Sequence, residues 1–290
     1  MSFDLILQTV VPVFLIILVG YIIGKYKKTN IQPMIDFVVY IAAPSLIFSS
    51  VSRSNINLTD FTIIALSAVA IILIMAFLVF IILKITKSDK KGLYLPMTIG
   101  NTGYIGYPVA LFAFGIAGLS RAVVYDMIGS LFLFSIGIYI VHHKNEIKEA
   151  FKVPLIYAVV IGLLFSLLKI PVPDLIFKPI EMIGMITIPL ALLVLGYELT
   201  KIKINSAKIA FLASLFRIII GFVIAIAIVK IFSITGLVRN IILLQAAMPS
   251  AVMTMVLCRK YNKDAELVAS IVFISTLLSI ISIPLILSIL

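Results

Sequence analysis

Apolar residues run through this chain in blocks of about twenty, separated by short polar clusters. The blocks fall at residues 5–24, 33–51, 60–84, 92–115, 120–141, 153–170, 175–199, 206–232, 237–258 and 265–289. A helix rises about 1.5 Å per residue, so the blocks suit a hydrocarbon layer about 30 Å thick, the sixth being short for it. The pattern predicts an all-α integral membrane protein with ten transmembrane helices. Two blocks are interrupted. The fourth reads LPMTIGNTGYIGYPVALFAFG and packs Gly100, Gly103, Gly106 and Pro108 into nine residues. The ninth has its break at Pro249, among Ala246, Ala247, Ser250 and Ala251. Glycine weakens a helix interior by about 1 kcal/mol against alanine, and proline removes a backbone hydrogen bond. In hydrocarbon such breaks are tolerated where the freed backbone lines a cavity or is buried in protein.

The pattern also repeats. Pro12 and Gly20 return as Pro154 and Gly162, an offset of 142, while Asp36 and Pro44 return as Glu181 and Pro189, an offset of 145. Pro108 returns as Pro249, an offset of 141. Residues 1–141 and 153–290 are thus expected to be two five-helix repeats, joined by a short linker at 142–152. An odd number of crossings inserts the second copy upside down. Inverted repeats with breaks in matching positions are a signature of secondary transporters. One proline kink alone would read as ordinary helix packing, but two in matching places argue against that.

Composition supports the membrane reading: 63% of residues are hydrophobic, 12% are charged, and the mean hydropathy is +1.27. The net charge of +11 does not point to nucleic acid, because the basic residues sit in short loops. Sixteen of the 23 Lys and Arg follow odd-numbered blocks, six follow even-numbered ones, and Arg217 lies inside the eighth. The positive-inside rule then predicts cytoplasmic odd loops, with both termini outside. The first block lacks a basic leader and a cleavage site, so it reads as a retained helix. A single cysteine, Cys258, excludes an intramolecular disulfide.

Proline suits a first helical turn, so Pro108 and Pro249 are expected to start second half-helices whose positive ends face the membrane centre. Such ends bind anions without a basic side chain. Asn101 and Gln245 would add amides, and Thr102, Tyr104 and Ser250 hydroxyls. With Gly103, Gly106, Pro108 and Pro249 they form the candidate substrate site.

The stretch QAAMP at Gln245–Pro249, the ending RKYN at Arg259–Asn262, and the pattern N-T-x-x-x-G-x-P on Asn101, Thr102, Gly106 and Pro108 resemble segments of plant auxin carriers. The run FVVYIAAPSLIF, Phe37–Phe48, looks like their proline-containing second helix. Together these motifs are similar to the auxin efflux carrier family, in the bile-acid/arsenite/riboflavin transporter group. The resemblance implies a five-plus-five inverted repeat, a transport domain moving against a scaffold, and a site where helices four and nine cross. It also implies small organic anions as substrates: indole-3-acetate in plants, malate or malonate in some prokaryotic members. Homodimerisation through the scaffold is a further implication. The linker here has about eleven residues, whereas plant members often carry a long central loop. That departure points away from plant-type regulation and toward a prokaryotic plasma membrane.

Four charges are candidates for ion coupling, by H⁺ or Na⁺, or for an interface role. Arg217 sits about halfway through helix eight, where a charge requires a partner or water. It reads either as an attractor for the anion or as a scaffold hub, with Asp126 as candidate partner. Asp36 and Glu181 occupy equivalent places near the starts of helices two and seven, where an acid favours the helix dipole without further function. Their symmetry also suits gating. Glu198 reads as interfacial, and His142 and His143 as solvated. An intramembrane enzyme would require GxGD, GxSxG or HExxH, and none occurs. No cofactor or metal motif is present in the sequence. An anion channel is the alternative to a carrier, because broken helices also build pores.

Overall fold

The computed structural model describes residues 1–54, 56–142 and 154–290. The linker 142–152, apart from His142, lies outside the described residues, as does His143. Among those described, the secondary structure is helical, apart from one isolated bridge between two extended residues. The helices are α1 (Phe3–Tyr26), α2 (Gln32–Ser52), α3 (Leu58–Ile85), α4 (Tyr94–Thr98), α5 (Gly106–His142), α6 (Pro154–Leu167), α7 (Asp174–Leu199), α8 (Ala207–Ile231), α9 (Gly236–Ala246), α10 (Val252–Lys260) and α11 (Ala265–Ile289). Seven of them (α1, α2, α3, α5, α7, α8 and α11) are long and apolar enough to cross a membrane.

The fourth, sixth and ninth apolar blocks do not appear as single long helices. Block four is divided between α4 and the start of α5, and block nine between α9 and α10. Block six is the shorter α6. The chain also turns at Gly115, where φ is +66°, a conformation that glycine adopts without steric cost. That turn separates the opening of α5 from its long remainder.

Local chemistry sets the helix ends. The Ser2 hydroxyl accepts the Leu5 N–H at 3.4 Å ahead of α1, and the Asn57 side chain accepts the Asp60 N–H at 2.6 Å ahead of α3. Within α2, Pro44 lacks the N–H that Tyr40 would receive, and a wider π-helical turn over Val38–Ala42 absorbs the defect. In α7 the helix is interrupted at Ile186, three residues before Pro189.

Two sets of helices result. In the first, α1 packs along α7, and α6 along the second half of α2. Gly20 of α1 lies against the Leu193 carbonyl of α7, and Gly162 of α6 against Phe48 and Val51 of α2. Gly162 lies 142 residues after Gly20, and Leu193 lies 145 after Phe48. The two contacts are therefore related by the offsets of the sequence repeat. The second set holds α3, α5, α8, α9 and α11, with the short α4 and α10 inside it. Its core includes fully buried Ile64, Met75, Ile241 and Ile242. Outward-facing positions are apolar too, among them Leu15, Phe77, Leu212 and Leu285, as contact with lipid tails requires.

Candidate functional site

The two helix breaks lie side by side. Gly100 and Ser250 form an antiparallel bridge. The Asn101 N–H donates to the Pro249 carbonyl at 2.6 Å, and the Ala251 N–H to the Ile99 carbonyl at 3.1 Å. Backbone groups freed by each break are thus satisfied by the other, which removes the cost of leaving them bare in hydrocarbon. Ser250 is fixed from both sides: its hydroxyl donates to the Pro96 carbonyl at 2.6 Å, and its N–H to the Ser275 hydroxyl at 3.1 Å.

Only one of the two prolines takes the place expected of it. Pro108 falls in the first turn of α5, which begins at Gly106, so its missing N–H costs nothing there. Pro249 does not start a half-helix. It sits in the extended seam, and α10 begins three residues later at Val252, with no side chain capping it. Nor are the N–H groups at the start of α5 free for an anion: those of Gly106 and Tyr107 reach the carbonyls of Asn101 and Gly103, at 3.1 and 3.2 Å.

A cavity of about 100 Å³ lies between this seam and the first helix set. Asn101, Thr102, Gly103, Tyr104, Pro108 and Asp126 line it on one side, with Val252 and Met253 from the start of α10. Val38, Val39 and Ala43 of α2 and Thr187, Ile188 and Ala191 of α7 close the other. The Asn101 amide nitrogen and the Thr187 hydroxyl are buried without a hydrogen-bond partner, so both can serve a bound molecule.

Gln245, Gly106, Pro249 and Ser250 do not line the cavity. The Gln245 carboxamide is fully buried against Gly106 with neither end bonded, and a Cβ on Gly106 would collide with it. Tyr107, Ser130 and Thr187 do line it and were not picked out in the sequence. Scattered hydroxyls in apolar helices carry no spacing signal of their own.

Arg217 and Asp126 are not partners. The Arg217 guanidinium, 2% exposed, donates through Nη1 to the Ala246 carbonyl at 2.9 Å, and its Nη2 lies against Gly100. A cation thus sits at the carbonyl end of α9, where the helix dipole favours it. Asp126 instead accepts hydrogen bonds from the Thr102 hydroxyl and, at 2.7 Å, from the Tyr107 hydroxyl.

Asp36 and Glu181 lie away from the centre, each in its own cavity. Asp36 accepts from the Gln32 amide at 2.8 Å and lines a vestibule of about 500 Å³ with Glu198, Lys201, Arg259 and Lys260. Tyr104, Val39, Phe134, Val252 and Met253 line both that vestibule and the central cavity. Glu181 lines a cavity of about 260 Å³, which shares Ile188 with the central one. Glu198 is buried rather than simply interfacial: it pairs with Lys201 at 2.7 Å and with Arg259 at 3.4 Å, tying α7 to α10.

Comparison with known proteins agrees with this picture. The chain is 30% identical over 298 residues to an uncharacterized transporter of Methanocaldococcus jannaschii, covering 96% of this chain and 97% of that protein. It is 28% identical over 291 residues to an uncharacterized transporter of Methanothermobacter thermautotrophicus, covering 96% of each. A family model described as a membrane transport protein matches residues 5–150 and 144–287. With nearly its whole length matched, the chain belongs to the membrane transport protein family.

Proposed function

We propose that this protein is a secondary transporter that carries a small organic anion across the membrane by alternating access. In this reading the chain crosses ten times as two inverted five-helix repeats, residues 1–141 and 153–290, and the two broken helices cross at the substrate site. One observation carries the proposal. Two helix breaks are stitched together beside a central cavity, and Asn101, whose amide nitrogen is buried without a partner, lines that cavity. A carboxylate fits there: Asn101 donates, Thr187 donates, and the uncapped start of α10 at Val252 and Met253 presents the positive end of a helix. The set α1, α2, α6 and α7 serves as the support. The seam-bearing set moves past it, opening the cavity to the Asp36 vestibule or to the Glu181 side in turn.

The experiment is isotope flux in proteoliposomes with malate, malonate, short monocarboxylates and indole-3-acetate. Saturable exchange of one anion is expected. Asn101→Ala, which deletes the unpartnered donor, should weaken apparent affinity about tenfold, as expected for a hydrogen bond of about 1.5 kcal/mol to a charged group. Unchanged exchange in that variant would remove the seam as the site. Conductance that does not saturate would replace the carrier with a channel.

A further inference from the structure

Asp126 is the one formal charge among the described residues that line the central cavity, and it has the sign of the proposed cargo. Asp126 is half-buried as a residue and borders the cavity, with the Thr102 and Tyr107 hydroxyls bonded to its carboxylate. No salt bridge among the described residues reaches it. The helices packed behind it, α2 and α6, present Ile47, Leu155 and Val159, none of them ionisable. The ionisable groups that line the cavity with it are Tyr107 and Tyr104. Beyond Tyr104, in the vestibule, stand Asp36, Lys260 and Glu198, the last with its partners Lys201 and Arg259. Arg217 is held behind Gly100 by the Ala246 carbonyl and does not line the cavity.

Two negative charges about 4 Å apart in this setting repel strongly enough to weaken binding by about three orders of magnitude. An ionised Asp126 and a bound anion therefore exclude each other, and a neutral Asp126 removes the conflict. We infer that Asp126 takes up one proton together with the anion, making the carrier a proton-coupled symporter. This inference rests on the anion-carrier reading above.

The coupling runs through named atoms. A proton from the aqueous side adds to a carboxylate oxygen of Asp126, and no other covalent bond changes. A proton on the Asp126 oxygen that faces Thr102 makes that oxygen a donor to the Thr102 hydroxyl. The hydroxyl's own hydrogen is no longer needed there, while the other oxygen still accepts from Tyr107. The Thr102 hydroxyl, next in sequence to Asn101, is then free to donate to the substrate alongside the Asn101 amide. Loss of the proton on the far side recaptures Thr102 and expels the anion. Anion and proton thus favour each other's binding reciprocally.

The test uses the full chain in proteoliposomes with radiolabelled malate, malonate and indole-3-acetate, a trapped pH dye, and the membrane potential clamped at zero. With the outside one pH unit more acid, wild-type protein should accumulate one of these anions about tenfold and acidify the lumen as it does so. Asp126→Glu should keep both properties. Asp126→Asn should exchange labelled for unlabelled anion at a rate insensitive to pH, without accumulation or acidification. Accumulation driven by pH in Asp126→Asn overturns the inference. So does wild-type protein that exchanges an anion yet ignores the pH gradient, a result that needs no variant and leaves anion carriage standing. Folded wild-type protein that exchanges none of the probes overturns the carrier reading beneath both.

Discussion

Gly100 and Arg217 constrain each other. A Cβ at residue 100 would land on the guanidinium, and the guanidinium in turn holds the carbonyl that ends α9. Arg217→Met keeps much of the volume but leaves the Ala246 carbonyl without its donor. The expected loss is about 1–3 kcal/mol, the cost of an orphaned buried polar group. Because the chain has no tryptophan, the check is recovery of monodisperse protein after stepwise heating in detergent. An unchanged profile would show that water replaces the guanidinium. At this scale the sequence told half the story. Gly100, Asn101 and Pro108 stand out as residues that do not belong in a helix, and they are at the site. The neighbours of a buried charge have no such mark: Asp126 is bonded to Thr102, 24 residues upstream, and not to Arg217. Gln245 sits close to Pro249 in sequence, yet it belongs to α9 and points at Gly106 instead of the cavity.

Among the helices, the contacts of α1 with α7 and of α6 with α2 depend on backbones approaching closely at Gly20 and Gly162. Small residues at such positions are how helices associate in lipid, where no hydrophobic force separates them from solvent. Gly20→Leu and Gly162→Leu should each destabilise the support by about 1–3 kcal/mol through overpacking. The same heating profile reads that loss. Gly20→Leu should be the more harmful, since its side chain would meet the Leu193 backbone, whereas Gly162→Leu meets the side chain of Val51. The offset of 142 residues picked out both glycines, because duplication leaves the same packing position in each copy. Helix lengths were less legible. Hydropathy counts an apolar block without regard to where its hydrogen bonds run: the breaks in the fourth and ninth blocks were legible from their glycines and prolines, but the helix ends around them were not.

Seen whole, the molecule keeps its loops in two groups. Thr29 meets Tyr197, Gly92 meets Asp264, and Arg259 meets Glu198, all near the loops rich in lysine. Arg53 pairs with Asp174 at 2.6 Å, and Arg121 with Asp60, near the loops that are poor in it. If the basic group is cytoplasmic, a membrane-impermeant maleimide added to intact cells should label Lys178→Cys and spare Lys28→Cys. Cys258 is buried and should give little background. The reverse labelling would invert the orientation without changing the fold. The seam at Gly100 and Ser250 has one more effect. The two breaks are joined to each other by main-chain bonds, with the Ser250 and Ser275 hydroxyls bracing them. The side chains that line the cavity therefore take no part in holding the seam together. Descendants of such a chain can exchange those side chains, and with them the cargo, while inheriting the same frame.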